Sequence, residues 1–353
     1  MDLERMRRRT LSIALIGALA IGLLVAWLSS LDLPATGRAL AACSPPWLAL
    51  VGVSSLLHLV VRSIRWRSLL GVEGRGDARL SDLVSFTFIG YLVSFVMPGR
   101  AGELVRPALL WKRAGAPAGR ALGSVLLERV LDLGMLAAMA CAFAVVDPQA
   151  VPAALRSRAE AGLALVLAAW IGVIALLRVR PQALGRIAVA VTARLPRRMA
   201  GPAERFSLSL LGSLEVLAAP WAWLRLPALS LLTWTPVLVA SLAGLRAAHL
   251  DVPVTAPLVL VPLGALGIAV PTPAGVGGFH YALTWGLSHI FGTPSEAALA
   301  AAIATHAASV LPVVAVGLYA CAREGLSLRS LRAEVEAARS DGGTPSTQET
   351  DRP

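Results

Sequence analysis

Stretches of mostly apolar residues long enough to cross a bilayer recur along this chain, and no other feature limits its fold so severely. A helix needs roughly 20 residues to span about 30 Å of hydrocarbon. Runs of that kind lie at Leu11–Leu31, Trp47–Val61, Ala121–Val146, Ala161–Leu177, Leu226–Leu245 and Ala297–Ala322. With 56% of residues hydrophobic and only 15% charged, the bilayer is the solvent. The expected fold is an all-α polytopic membrane protein with about six transmembrane helices.

The formal net charge of +11 is carried almost wholly by arginine, since Lys112 is the only lysine. Basic residues clustered beside apolar spans suit anionic lipid headgroups, so anionic membrane lipids are the expected partners and nucleic acid is not. Arg5, Arg7, Arg8 and Arg9 precede the uncharged run from Leu11 to Leu28. That run exceeds the apolar core of a secretory signal, so an uncleaved anchor is expected. Cys43, Cys141 and Cys321 show neither CxxC nor metal-ligand spacing, and the chain is expected to hold no disulfide, metal or cofactor.

Two further apolar regions, Leu83–Trp111 and Val254–Phe291, are each interrupted by a Pro/Gly cluster. If the first crossed only once, Arg100, Arg106, Lys112, Arg113 and Arg120 would fall outside, against the positive-inside rule. A re-entrant helical hairpin from the cytoplasm removes the conflict, with PGRAGE at Pro98 to Glu103 buried at its tip. The layout then reads as an inverted repeat of halves at about 1–146 and 160–322, with two re-entrant hairpins. Pro98 and Gly99 with Gly102 mark one tip, and Pro273 and Gly275 with Gly277 mark the other. Paired interruptions of this kind point to a transporter's midplane site, although Gly-rich segments also serve close helix packing. One membrane domain is expected over 1–339, with an amphipathic cytoplasmic segment at about 181–223 and a disordered polar tail at 340–353. Arg186 and Arg194 of that segment, like Arg62 and Arg65 after the second crossing, read as cytoplasmic basic residues. Both termini are placed in the cytoplasm and the chain in the inner membrane of a bacterium or archaeon.

Ionisable groups within membrane segments are expensive and point to function. The candidates are Arg100, Glu103 and Arg106 in the first hairpin, with Glu128, Arg129 and Asp132 in the next helix. Spacing lets Asp132 face the same way as Glu128 or Arg129, while Glu128 and Arg129 diverge. Two readings stay open. The groups form an internal salt-bridge network, or they form a headgroup site in which arginines bind phosphate and carboxylates orient them. His280 and His306 are candidate proton or charge relays, or else packing residues.

No GxxxxGK[ST], HExxH or GxSxG occurs, which leaves no recognisable catalytic machine; an intramembrane hydrolase or transferase using Glu103 or Glu128 as base stays open. The residues resemble the integral-membrane region of lysylphosphatidylglycerol synthases and their stand-alone, flippase-like relatives. The likeness rests on RSIRW at Arg62–Trp66, GYLVSFVMPGRAGELVRPALLWKRAG at Gly90–Gly115, LGSVLLERVLDL at Leu122–Leu133 and PTPAGVGGF at Pro271–Phe279. It implies a module that moves a phospholipid or polyprenyl-linked lipid between leaflets, with Arg100, Glu103, Arg106, Glu128 and Arg129 as site residues. Aminoacyl-phospholipid synthesis is not expected, because the crossings end near Ala322. A glutamate and an arginine usual in the family are His280 and His306 here. The competing expectations are a secondary transporter of a small anionic solute, or a non-catalytic partner of an envelope lipid- or glycan-modifying enzyme.

Overall fold

A computed structural model describes residues 32–96, 102–147, 197–270 and 275–326, with isolated positions between 161 and 192. The described residues form ten α-helices: α1 (Leu33–Ala41), α2 (Pro45–Leu70), α3 (Leu80–Val96), α4 (Gly102–Ala114), α5 (Ala118–Val146), α6 (Arg197–Gly212), α7 (Ala222–Ala247), α8 (Pro257–Ala269), α9 (Gly278–Phe291) and α10 (Ser295–Arg323). A 3₁₀ turn, Ser213–Ala218, joins α6 towards α7. Asp32 caps α1 by accepting from the Ala35 amide, and Pro45 opens α2, where a missing amide hydrogen costs nothing.

The all-helical membrane class expected from sequence is what the structure shows. Helices α2, α5, α7 and α10 are long and apolar enough to cross a bilayer. Their outward faces carry exposed Val53, Leu133, Leu231 and Leu311, the surface that hydrocarbon wets. Prolines inside α7 and α10 are tolerated where neighbouring helices support the backbone; Pro312 of α10 lies against Gly52 of α2. The expected crossing at Leu11–Leu31 lies outside the described residues, as does most of the one at Ala161–Leu177. So do the tail at 340–353 and much of the segment at 181–223, whose described end supplies α6 and the 3₁₀ turn packed against α5.

The two interrupted regions form helix pairs, α3 with α4 and α8 with α9. At 13 to 17 residues none of the four arms reaches 30 Å. Each pair closes through facing glycines. A Cβ on Gly102 would overlap the carbonyl oxygen of Gly90, and Gly267 and Gly278 meet in the same way. Gly102→Ala is therefore expected to cost about 1–3 kcal/mol through overpacking. The check is a lowered unfolding midpoint in detergent, with Gly37→Ala, where the new methyl meets nothing within 4 Å, as the neutral comparison.

The pairs open at opposite ends of α5. At the first, the Asp77 amide donates to Ala114 at 3.0 Å. Asp82 and Arg113 there meet the Arg323–Glu324 end of α10. That opening precedes the start of α5. At the second, Thr255 donates to Asp147 at 3.0 Å and Phe291 stacks edge-on against Phe143, both at the far end of α5.

An internal two-fold relation follows from which helices touch. Exchanging α2, α3, α4 and α5 for α7, α8, α9 and α10 maps every packed pair among them onto a packed pair, the α2–α7 pair onto itself. Helices α2 and α7 exchange with each other and run antiparallel. The Ser44 amide donates to Ala247 at 2.9 Å, and farther along His58 Nδ1 meets the Thr233 carbonyl at 2.9 Å. Two corresponding helices that run antiparallel make the repeat an inverted one.

Candidate functional site

The site begins with spacing on two helices. Arg62 and Arg65 are three residues apart on α2, and Glu128 and Asp132 are four apart on α5, so each pair shares a face. Packing of α2 on α5 brings those faces together. Arg62 pairs with both carboxylates, reaching Asp132 Oδ2 at 2.9 Å. Arg65 Nη2 lies 2.5 Å from Asp132 Oδ1 and 3.8 Å from Glu128, and its Nη1 donates to the Ser230 hydroxyl of α7 at 3.3 Å.

Arg106 arrives from the first helix pair. Its two terminal nitrogens donate in parallel to the two oxygens of Glu128, each at 3.2 Å, the fork geometry that only arginine offers. Its guanidinium also lies 4.3 Å from the Trp66 ring centroid, and the Trp66 indole donates to Ser124 at 2.9 Å. Gly90 is a glycine for this reason, since a Cβ there would stand 2.6 Å from Arg106 Cγ.

Arg62, Arg65, Arg106, Glu128 and Asp132 are each at most 4% exposed. Among the described residues three buried guanidinium groups face two buried carboxylates, so this network carries surplus positive charge. The Nε–H groups of Arg62, Arg65 and Arg106 find no acceptor among the described residues. At the rim, Arg129 reaches Asp132 at 3.4 Å, Glu128 at 3.5 Å and Glu103 at 3.5 Å, and the Arg129 and Glu103 side chains are 28% and 29% exposed.

Glu103, Arg106, Glu128, Arg129 and Asp132 thus form one cluster. Arg129 also touches Glu128, although adjacent helical positions diverge; the length of the arginine side chain spans the gap. Pro98, Gly99 and Arg100 lie outside the described residues, as do Pro273 and Arg194. Gly102 sits at the crossing of α3 and α4, and Gly275 and Gly277 adopt φ of +71° and +93°, which only glycine takes without strain. Arg186 is an exposed helical position.

Arg62 and Arg65 require a correction. They read from sequence as basic residues facing the cytoplasm, yet both are buried inside the network. Helix α2 continues past Val61 to Leu70, and carboxylates from α5 compensate the cost of burying their charge. Their three-residue spacing beside an apolar run was the available signal. Trp66 and Ser124, within the quoted motifs, and Ser230 are not marked as site residues by the sequence, because uncharged residues in an apolar segment carry no such signal.

At the corresponding place in the second half, His280 of α9 and His306 of α10 are in contact, Nε2 to Nδ1 at 3.3 Å. The Gly277 amide donates to His280 Nδ1 at 3.3 Å.

A family model described as the lysylphosphatidylglycerol synthase TM region matches residues 11–317. The glycosyltransferase AglD of Haloferax volcanii is 27% identical over an alignment covering 73% of this chain and 46% of that protein. The chain therefore spans about half the length of this curated relative. No solved structure matches. With its apolar helices and a match over most of its length, this integral membrane protein belongs to the lysylphosphatidylglycerol synthase transmembrane-region family.

Proposed function

We propose that the protein translocates a phospholipid or polyprenyl-linked lipid between leaflets and is not itself an enzyme. One observation carries the reading: a buried arginine network with surplus positive charge opens at its edge through the partly exposed Arg129–Glu103 pair. An anion is the natural complement of such a site. The buried members hold their arginines in place, while Arg129, held by Glu103, meets the headgroup at the rim. The short arms of the helix pairs suit re-entrant hairpins entering from opposite leaflets, with the acyl chains left in hydrocarbon as the headgroup passes between the tips. The basic first hairpin would face the cytoplasm of the cell in which the chain resides.

The test is redistribution of a headgroup-labelled anionic phospholipid in vesicles holding the purified full-length chain. Arg100→Ala and Glu103→Gln are expected to abolish it with the protein still folded. Normal redistribution in both would refute the assignment. Uptake of a small anionic solute without lipid movement would favour a solute transporter.

The likeness to a protein named a glycosyltransferase favours a second reading, that the module serves as membrane partner to an envelope glycan-modifying enzyme. Redistribution that appears only when such an enzyme co-purifies would support it.

A further inference from the structure

The contact between His280 and His306 joins the start of α9, just past the second tip, to α10. Both rings lie against Phe279, with centroids 4.9 Å from His306 and 5.8 Å from His280. The Phe279 ring in turn occupies the notch left by Gly264 of α8. The start of α9 is therefore held by one small aromatic cluster in which the two imidazoles supply the polar link.

The hydrogen bonds of this link run in one direction. A backbone amide can only donate, so His280 Nδ1 must accept from Gly277 and carry no proton. The ring proton of neutral His280 then sits on Nε2 and donates to His306 Nδ1, which is likewise unprotonated. Both lone pairs in the chain are in use. An added proton must occupy one of them: on His280 Nδ1 it removes the bond to Gly277, which caps α9, and on His306 Nδ1 it sets two N–H groups against each other. A neutral tautomer shift within the pair fails for the same reason. The doubly occupied arrangement and the protonated one exclude each other.

We infer that His280 and His306 form a proton-binding latch that holds the second helix pair against α10 when neutral and releases the start of α9 on protonation. Ionisable groups on the packed elements are otherwise engaged or distant. His289 bonds the Trp285 carbonyl, His58 that of Thr233, and Arg246 those of Leu250 and Val252. Asp82 pairs with Arg323. Glu296 lies ten residues before His306, about 15 Å along α10. Tyr281 is half exposed beside His280. Helix α8 and positions 271–274 contain no ionisable side chain. No carboxylate among these holds a proton on the pair, so the charge would be stabilised by the Phe279 face and by water that enters as the start of α9 moves.

The inference reaches beyond lipid translocation by supplying a place where a proton gradient acts on the fold. Its test uses the full-length chain in lipid nanodiscs with the three cysteines replaced by alanine and spin labels at Val276→Cys and Leu311→Cys, both exposed sites. The separation of the labels is expected to lengthen as the pH falls from about 8 to about 4, through and below the range where a free histidine titrates. In His280→Gln/His306→Gln the distribution should not change with pH. An unchanged separation in the parent protein, or the same change in the double variant, would overturn the latch. Because no lipid movement is read, failure here leaves translocation standing, and a pH response in a protein that moves no lipid leaves the latch standing.

Discussion

Glu128→Gln is expected to destabilise the protein by about 3–5 kcal/mol, enough to leave little of it folded, because one carboxylate serves Arg62, Arg65, Arg106 and Arg129 at once. Removing its charge leaves Asp132 as the only buried carboxylate among the described residues against three buried guanidinium groups. The measurements are yield, monodispersity and thermal midpoint in detergent. Arg106→Met/Glu128→Met should recover most of the loss, since it removes one charge of each sign and keeps the original surplus. A Glu128→Gln protein as stable as the parent would mean that the network does not depend on this pairing.

Arg129→Ala is expected to do the reverse, sparing the fold and removing function. Arg129 stands at the rim, 28% exposed, where an ion pair contributes no more than about 1 kcal/mol. Its contact with a phosphate headgroup would be charge-assisted and worth roughly 1.5–3 kcal/mol, so lipid redistribution should fall about tenfold or more at an unchanged thermal midpoint. Arg129→Lys should recover only part of the rate, because an ammonium cannot make the two parallel bonds of a guanidinium. Equal loss of stability in Arg129→Ala and Glu128→Gln would merge rim and core into one structural unit and remove the case for a headgroup contact.

The contrast between these variants was not legible in the chain alone. Hydropathy placed α2, α5, α7 and α10, and the Pro/Gly clusters located the breaks between α3 and α4 and between α8 and α9. Spacing grouped Glu128 with Asp132, and the cost of placing charge in a membrane segment marked Glu103 and Arg106, which the resemblance at PGRAGELVR also covers. Arg62 and Arg65 were misassigned because a charge after an apolar run looks like the end of a crossing, and only a partner on another helix makes its burial tolerable. His280 and His306 were legible as two candidate relays, while the direction of their hydrogen bonds depends on the backbone of Gly277.

What the sequence determined by itself is the solvent, the helices and the places where helices must break, because transfer into hydrocarbon and the conformational limits of proline and glycine act over a few turns of chain. The tertiary structure alone decided which polar faces meet. Arg62 finds Asp132 across 70 residues, and His280 finds His306 across 26. Such contacts depend on how helices pack, and no local preference encodes them. The buried charges are therefore visible in the sequence as a cost, and only the fold shows which partners compensate it.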